Sequence, residues 1–256
     1  MGFQEKIRQK KSKEKIIMLT AYDFQMAKIL DQVGIDLILV GDSSGMVVQG
    51  YATTRDVTMA DMIFHVKAVA RGAKNIPIIG DMPINSSDTV EEGSRNARIF
   101  LESGAQGVKI EGNKPHVIEA LLNENIPVMG HVGMLPQVAE KYHVKGKDPE
   151  EAEGILRDAM DLDRMGVFSI VLECIPESLA KTITEKVKAP TIGIGAGKYC
   201  DGQVLVINDM LGYDESFRPK YVKTYANLNR TIKDAVAKLI EEVTTGKYPD
   251  KEHTYH

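Results

Sequence analysis

Residues 37–42 read Leu-Ile-Leu-Val-Gly-Asp: four large apolar side chains, a glycine and then a carboxylate. The run lacks the apolar–polar alternation of a half-solvated strand, which fits a strand covered on both faces in a parallel sheet. The pattern recurs along the chain. PIIG at 77–80 stops at Asp81, GVKI at 107–110 at Glu111, PVMG at 127–130 at His131, and FSIVL at 168–172 at Glu173. With IIML at 16–19, TIGI at 191–194 and QVLVI at 203–207, eight strand-like runs are present. Amphipathic helical patterns lie between them. In residues 59–73, Met59, Met62, Ile63, Val66, Val69 and Ala70 share one face, opened by a Thr58/Asp61 capping box. The last helical pattern places Ile232, Val236, Leu239, Ile240 and Val243 together in the same way. Eight βα units at this length suggest an α/β fold of the (β/α)8 TIM-barrel type rather than an open doubly wound sheet.

The remaining composition narrows the class. A chain of 256 residues, 43% hydrophobic and 27% charged, can bury a sizeable core. No Pro-, Gly- or Ser-rich linker divides it, so residues 1–256 are expected to form one barrel domain with a short polar N-terminal extension. A formal net charge of -4 leaves no basic footprint for nucleic acid. Two cysteines, Cys174 and Cys200, make neither a disulfide framework nor a zinc ligand set. The basic N-terminal stretch lacks the apolar core of a secretory signal, and no run approaches 18 apolar residues, so neither export nor a membrane is expected. The cytoplasm is the expected location.

A carboxylate directly after a buried strand is costly unless a cation, a proton or a substrate offsets its desolvation. Four such acids and a histidine at successive strand ends read as one site. Asp42, Asp81 and Glu111 offer only hard oxygen donors, which suit Mg²⁺ better than Zn²⁺. A helix N-cap or a salt-bridge partner is the alternative reading of each acid taken alone. Lys109, two residues before Glu111, shares its face and could hold an anionic substrate oxygen or a developing enolate. The other reading is a buried lysine paired with a barrel carboxylate. Glu173 is the general-base candidate, with a pKa raised by its apolar neighbours. His131 could contact substrate or relay a proton, or be a hydrogen-bonded structural histidine. The segment GIGAGKYCDG at 193–202 fits neither dinucleotide nor phosphate-loop spacing and reads as a close backbone turn.

The strings LTAYD, VGDSSGMVVQGYATT, GVKIEG, GHVGMLPQ, VLECIP and IGIGAGKYCDGQVLV resemble the ketopantoate hydroxymethyltransferase family, from about Met18 to the C-terminus. The resemblance implies a barrel of the phosphoenolpyruvate/pyruvate type. It also implies transfer of a one-carbon unit from 5,10-methylenetetrahydrofolate to 3-methyl-2-oxobutanoate through a Mg²⁺-stabilised enolate, giving 2-dehydropantoate for pantothenate and coenzyme A synthesis. Carried over motif by motif, Asp42, Asp81 and Glu111 are the Mg²⁺ residues, Asp42, Ser43, Asp81 and Lys109 contact the oxo acid, and Glu173 accepts the proton. A homo-oligomer, commonly a decamer, is implied as well. The chain departs from the family's usual wording at Ser44, Leu135, Val138, the stretch Glu140 to His143, and Asn208, which bears on folate binding more than on the metal trio. Two rival readings remain: a Mg²⁺-dependent lyase or mutase of 2-oxo acids in the same superfamily, and a non-catalytic small-molecule-binding barrel.

Overall fold

The computed structural model describes residues 2–139, 141–215 and 219–255; Glu140, one of the departures above, lies outside them. The chain divides into two compact units, Met1–Val206 and Ile207–His256.

In the first unit all eight apolar runs are strands: β1 (Ile16–Thr20), β2 (Leu37–Val40), β3 (Ile78–Asp81), β4 (Gly107–Glu111), β5 (Val128–Gly133), β6 (Ser169–Glu173), β7 (Thr191–Ile194) and β8 (Gly202–Leu205). They pair in parallel in chain order and close as a barrel, Ile16 of β1 lying opposite Gly202 of β8. Every residue of β2, β3 and β4 is buried, the condition their unbroken apolar runs imply. The last run is shifted against its sequence reading: β8 begins at Gly202 and ends at Leu205, and Ile207 opens the short helix α9 (Ile207–Leu211) in the second unit. Close pairing sets the start, because a Cβ at Gly202 would stand 2.5 Å from the Ile16 carbonyl oxygen.

Register carries the chemistry. Asp81 sits opposite Lys109, Glu111 opposite His131, and Gly133 opposite Glu173. In a closed parallel barrel these positions share the C-terminal rim.

The helices α1 (Phe3–Gln9), α2 (Phe24–Val33), α3 (Ser44–Val47), α4 (Met59–Gly72), α5 (Val90–Glu102), α6 (Pro115–Asn123), α7 (Pro149–Met165) and α8 (Glu177–Lys186) complete this unit. On α4 the expected capping box is present in both directions, and Met62, Val66 and Val69 are buried. The opposite, N-terminal rim is closed by the N-terminal segment: Ile7 of α1 is buried and Phe3 packs edge-on against Phe168.

In the second unit, α10 (Leu228–Thr244) is capped by the Asn227 side chain, which accepts from the Arg230 amide. It buries none of its residues. Ile232, Val236, Leu239, Ile240 and Val243, the face expected to be covered, stand 45 to 61% exposed. Among the described residues no helix is long and apolar enough to cross a membrane.

Candidate active site at the C-terminal rim

The site starts from β3 and β4. Lys109 points into the barrel mouth, as its two-residue spacing from Glu111 requires, and is 4% exposed. Its ammonium Nζ lies 2.5 Å from Asp81 Oδ1 and 3.9 Å from Glu111 Oε1. Asp81 Oδ2 accepts the Asp42 backbone amide at 3.2 Å, which ties the end of β2 to β3. Ser43 follows, its hydroxyl 2.8 Å from that of Tyr22. Ser44, the first residue of α3, is fully buried and donates to Met62 Sδ of α4 at 3.8 Å, so this departure from the family's wording is absorbed between the two helices.

Glu173 arrives from β6, with its side chain only 14% exposed. His131 stands between Glu111 and Glu173, its Nδ1 3.6 Å from Glu111 Oε1 and its Nε2 3.2 Å from Glu173 Oε2. Neither contact has hydrogen-bond geometry, so His131 lies against both carboxylates without bonding to either. His65, equally buried, instead has its Nδ1 2.7 Å from the Tyr22 carbonyl oxygen. The contrast separates a satisfied structural histidine from one held open beside two carboxylates.

One cation therefore faces four acids. At an effective dielectric near 20, opposite charges about 4 Å apart attract by roughly 4 kcal/mol, less than several buried carboxylates need. The titration behaviour shows which effect wins. Burial and the Asp81 charge raise Asp42 to about 7, although Lys109 and a hydrogen bond from Gln137 pull it down. Burial raises Glu173 to about 8 against the opposing pull of Lys109. Glu111 is raised well above the ordinary carboxylate value by burial, and Lys109, despite burial, is raised by Asp81, Glu111 and Asp42. His131 is pushed well below its usual value by burial and by Lys109, which keeps it neutral. The rim is short of positive charge.

The donor set suits a hard divalent cation. Among the described residues, however, no ready-made cage of three acidic, histidine or cysteine side chains is gathered around one point. Asp81 Oδ1 is turned to Lys109 and Asp42 Oδ2 to Gln137. Mg²⁺ is commonly held by one or two carboxylates together with waters and substrate oxygens, so a loose rim of acids is compatible with it.

Two contributors to the rim were not singled out by the sequence. Gln137, in the loop after β5, is 6% exposed and touches three strand ends. Tyr142 is half-exposed, its hydroxyl donates to Met46 Sδ of α3 at 3.8 Å, and its pKa is raised first by burial and then by the Asp42 and Glu173 charges. The GHVG motif has a backbone reason as well. Gly133 adopts φ 102°, and a Cβ there would stand 2.3 Å from the Glu173 carbonyl oxygen. The turn after β7 is equally tight, Gly197 at φ 76° lying where a Cβ would meet the Glu177 side chain.

A closed parallel barrel with its ionisable groups collected at the C-terminal rim defines a (β/α)8-barrel protein of the shape seen in the PEP mutase/isocitrate lyase superfamily. The fold resembles 2,3-dimethylmalate lyase, a member of that superfamily, at TM-score 0.62 and 16% identity over 99% of this chain and 92% of that one. It also resembles phosphonopyruvate hydrolase in complex with oxalate and Mg²⁺, at TM-score 0.64 and 13% identity over 99% and 93% of the two chains. At such identities the likeness is one of fold alone. Sequence is more specific: the model of the ketopantoate hydroxymethyltransferase family matches residues 3–251, and the chain belongs to that family. It is 52% identical to the 3-methyl-2-oxobutanoate hydroxymethyltransferase of Caldicellulosiruptor saccharolyticus over 96% of both chains. It is 50% identical to the one from Syntrophus aciditrophicus, over 96% of this chain and 93% of that one.

Proposed function

We propose that the chain transfers a hydroxymethyl unit to 3-methyl-2-oxobutanoate, with 5,10-methylenetetrahydrofolate as donor and one water consumed, giving 2-dehydropantoate for pantothenate and coenzyme A synthesis. Asp42, Asp81 and Glu111 hold Mg²⁺, and Asp42, Ser43, Asp81 and Lys109 contact the oxo acid. The observation that carries the reading is Lys109 set among three buried acids and the partly buried Glu173 at the rim, in a chain half identical to relatives bearing that enzyme name.

When bound, Mg²⁺ supplies the positive charge the rim lacks and acidifies the C–H next to the keto group. The remaining work belongs to the chain. Glu173 takes the methine proton onto a carboxylate oxygen; its pKa of about 8 without metal is close to the working range, where a general base is most effective. Lys109 faces the negative charge that develops on the keto oxygen and needs no reorganisation, because Asp81 already fixes its ammonium. Water cleaves the methylene from the two folate nitrogens, which leaves tetrahydrofolate and a one-carbon unit at the oxidation level of formaldehyde. The freed electron pair on the substrate carbon attacks that carbon, its C=O bond opens to an alkoxide, and the alkoxide takes the proton held by Glu173 to become the hydroxyl. Neutral His131 lies 3.2 Å from Glu173 and brings no positive charge that would hold the carboxylate against its task.

The same reading places the enzyme in the cytoplasm as a homo-oligomer, a decamer by family resemblance. Its two cysteines are free, and the uncovered apolar face of α10 supports self-association. The test is an assay of 3-methyl-2-oxobutanoate with methylenetetrahydrofolate, with Mg²⁺ and then with EDTA. Dehydropantoate should form with Mg²⁺, fall to background with EDTA, and return when Mg²⁺ is restored; no product with Mg²⁺ present rejects the reading.

A further inference from the structure

Gln137 is a polar side chain buried at the centre of the rim. Its Nε2 donates to Asp42 Oδ2 at 2.8 Å and to the carbonyl oxygen of Met82, the residue after Asp81, at 2.9 Å. Its backbone amide donates to Glu111 Oε2 at 3.2 Å. One residue thus bridges the ends of β2, β3 and β4, which carry the three acids. The stretch 134–139 that delivers it is tied down on either side of Gln137. The Met134 amide donates to the Glu173 carbonyl at 2.9 Å, and the Arg55 guanidinium donates to the Ala139 carbonyl at 2.9 Å.

All three donors of Gln137 point at oxygen, and two of those oxygens belong to carboxylates. Hydrogen bonds from a neutral amide favour the ionised acid without bringing a rival positive charge, unlike a second lysine. They also leave the other oxygen of each carboxylate to another partner. Groups that hold metal-ligating side chains in this way act on affinity, because a ligand already fixed in place loses less freedom when the ion arrives.

We propose that Gln137 is a positioning residue for the divalent-cation site: it restrains one oxygen each of Asp42 and Glu111 across three strand ends, leaves their other oxygens to close on the ion, and touches neither the ion nor the substrate. The proposal rests on the reading that Asp42, Asp81 and Glu111 take Mg²⁺.

The experiment titrates Mn²⁺ into metal-free protein, read by electron paramagnetic resonance of the free ion, for the wild type and for Gln137→Met, a near-isosteric side chain without donors. Gln137→Asn, whose amide falls one methylene short, is the second variant. Wild-type protein should bind one Mn²⁺ per chain. Both variants should bind it about 10- to 100-fold more weakly, with KM for Mg²⁺ raised by a similar factor and kcat largely recovered at saturating Mg²⁺. A purely structural role would lower the melting temperature and leave Mn²⁺ affinity unchanged. Mn²⁺ affinity within twofold of wild type in either folded variant overturns the proposal. So does failure of both variants to fold at any temperature, which would assign Gln137 to the fold. Failure of the wild type itself to bind Mn²⁺ overturns instead the metal reading on which the proposal rests.

Discussion

The two rims of the barrel handle buried charge in opposite ways. At the N-terminal rim Lys11 meets Asp201 at 2.8 Å, and its ammonium also donates to the Thr184 and Ala189 carbonyls. Asp201 in turn accepts from the amides of Ser12 and Thr191 and from the Thr191 hydroxyl. One cation faces one anion, and the neighbouring donors and acceptors are matched. At the C-terminal rim one lysine serves four acids, and a buried histidine bonds to neither of the two carboxylates beside it. A matched pair holds structure together; an unmatched cluster is tolerated where a cation or substrate completes it.

That difference is open to attack by mutation. The largest effect is expected from Lys109→Met, which removes the one cation that, among the described residues, pairs with the rim acids. Turnover should fall by about 10² to 10³-fold, while the fold survives because the acids, with values already near neutral, take up protons. Steady-state kinetics beside a circular dichroism spectrum check both halves. The mirror experiment is Lys11→Met, which strands Asp201 in a buried position. Unfolding free energy should drop by about 3 kcal/mol, measured by urea titration, with kcat per folded molecule unchanged. If Lys11→Met damages kcat as deeply as Lys109→Met, the division between rims fails.

A smaller effect is expected with pH. Asp42 and Glu173 are raised from 3.8 and 4.5 to about 7 and about 8, and Glu111 is raised too, so between roughly pH 4 and 8 the folded protein holds more protons than the unfolded chain. Metal-free stability should therefore decline as pH rises through that window. Neutral, depressed His131 works the other way near pH 6.5, but it is one group against three. Thermal melts should show a lower Tm at pH 8 than at pH 5 without metal, and Mg²⁺ should raise Tm most at the higher pH, where the acids are ionised.

Much of this was legible beforehand, for a physical reason. Strands buried on both faces leave unbroken apolar runs, and a carboxylate at the end of such a run has few structural excuses, so β2, β3, β4 and β6 announced both themselves and Asp42, Asp81, Glu111 and Glu173. Lys109 followed from strand alternation. Gln137 did not, because a glutamine in a loop carries no periodicity and its three partners lie 26 to 95 residues away. Its only trace was its place within GHVGMLPQ. The N-terminal stretch was equally opaque: its lysines and arginine read as a short polar extension, whereas Lys11 and Arg8 reach backbone carbonyls at the closed rim. The face of α10 shows the converse limit, since amphipathic spacing names a face and not what covers it.

The central claim is that Glu173 moves the substrate's methine proton at a site charged by Mg²⁺. The most direct test is nuclear magnetic resonance of 3-methyl-2-oxobutanoate in deuterium oxide with Mg²⁺ and without folate. Wild-type protein should exchange the methine proton, and Glu173→Gln should still bind the oxo acid but exchange it about 10² to 10⁴-fold more slowly. Undiminished exchange in Glu173→Gln would contradict the claim.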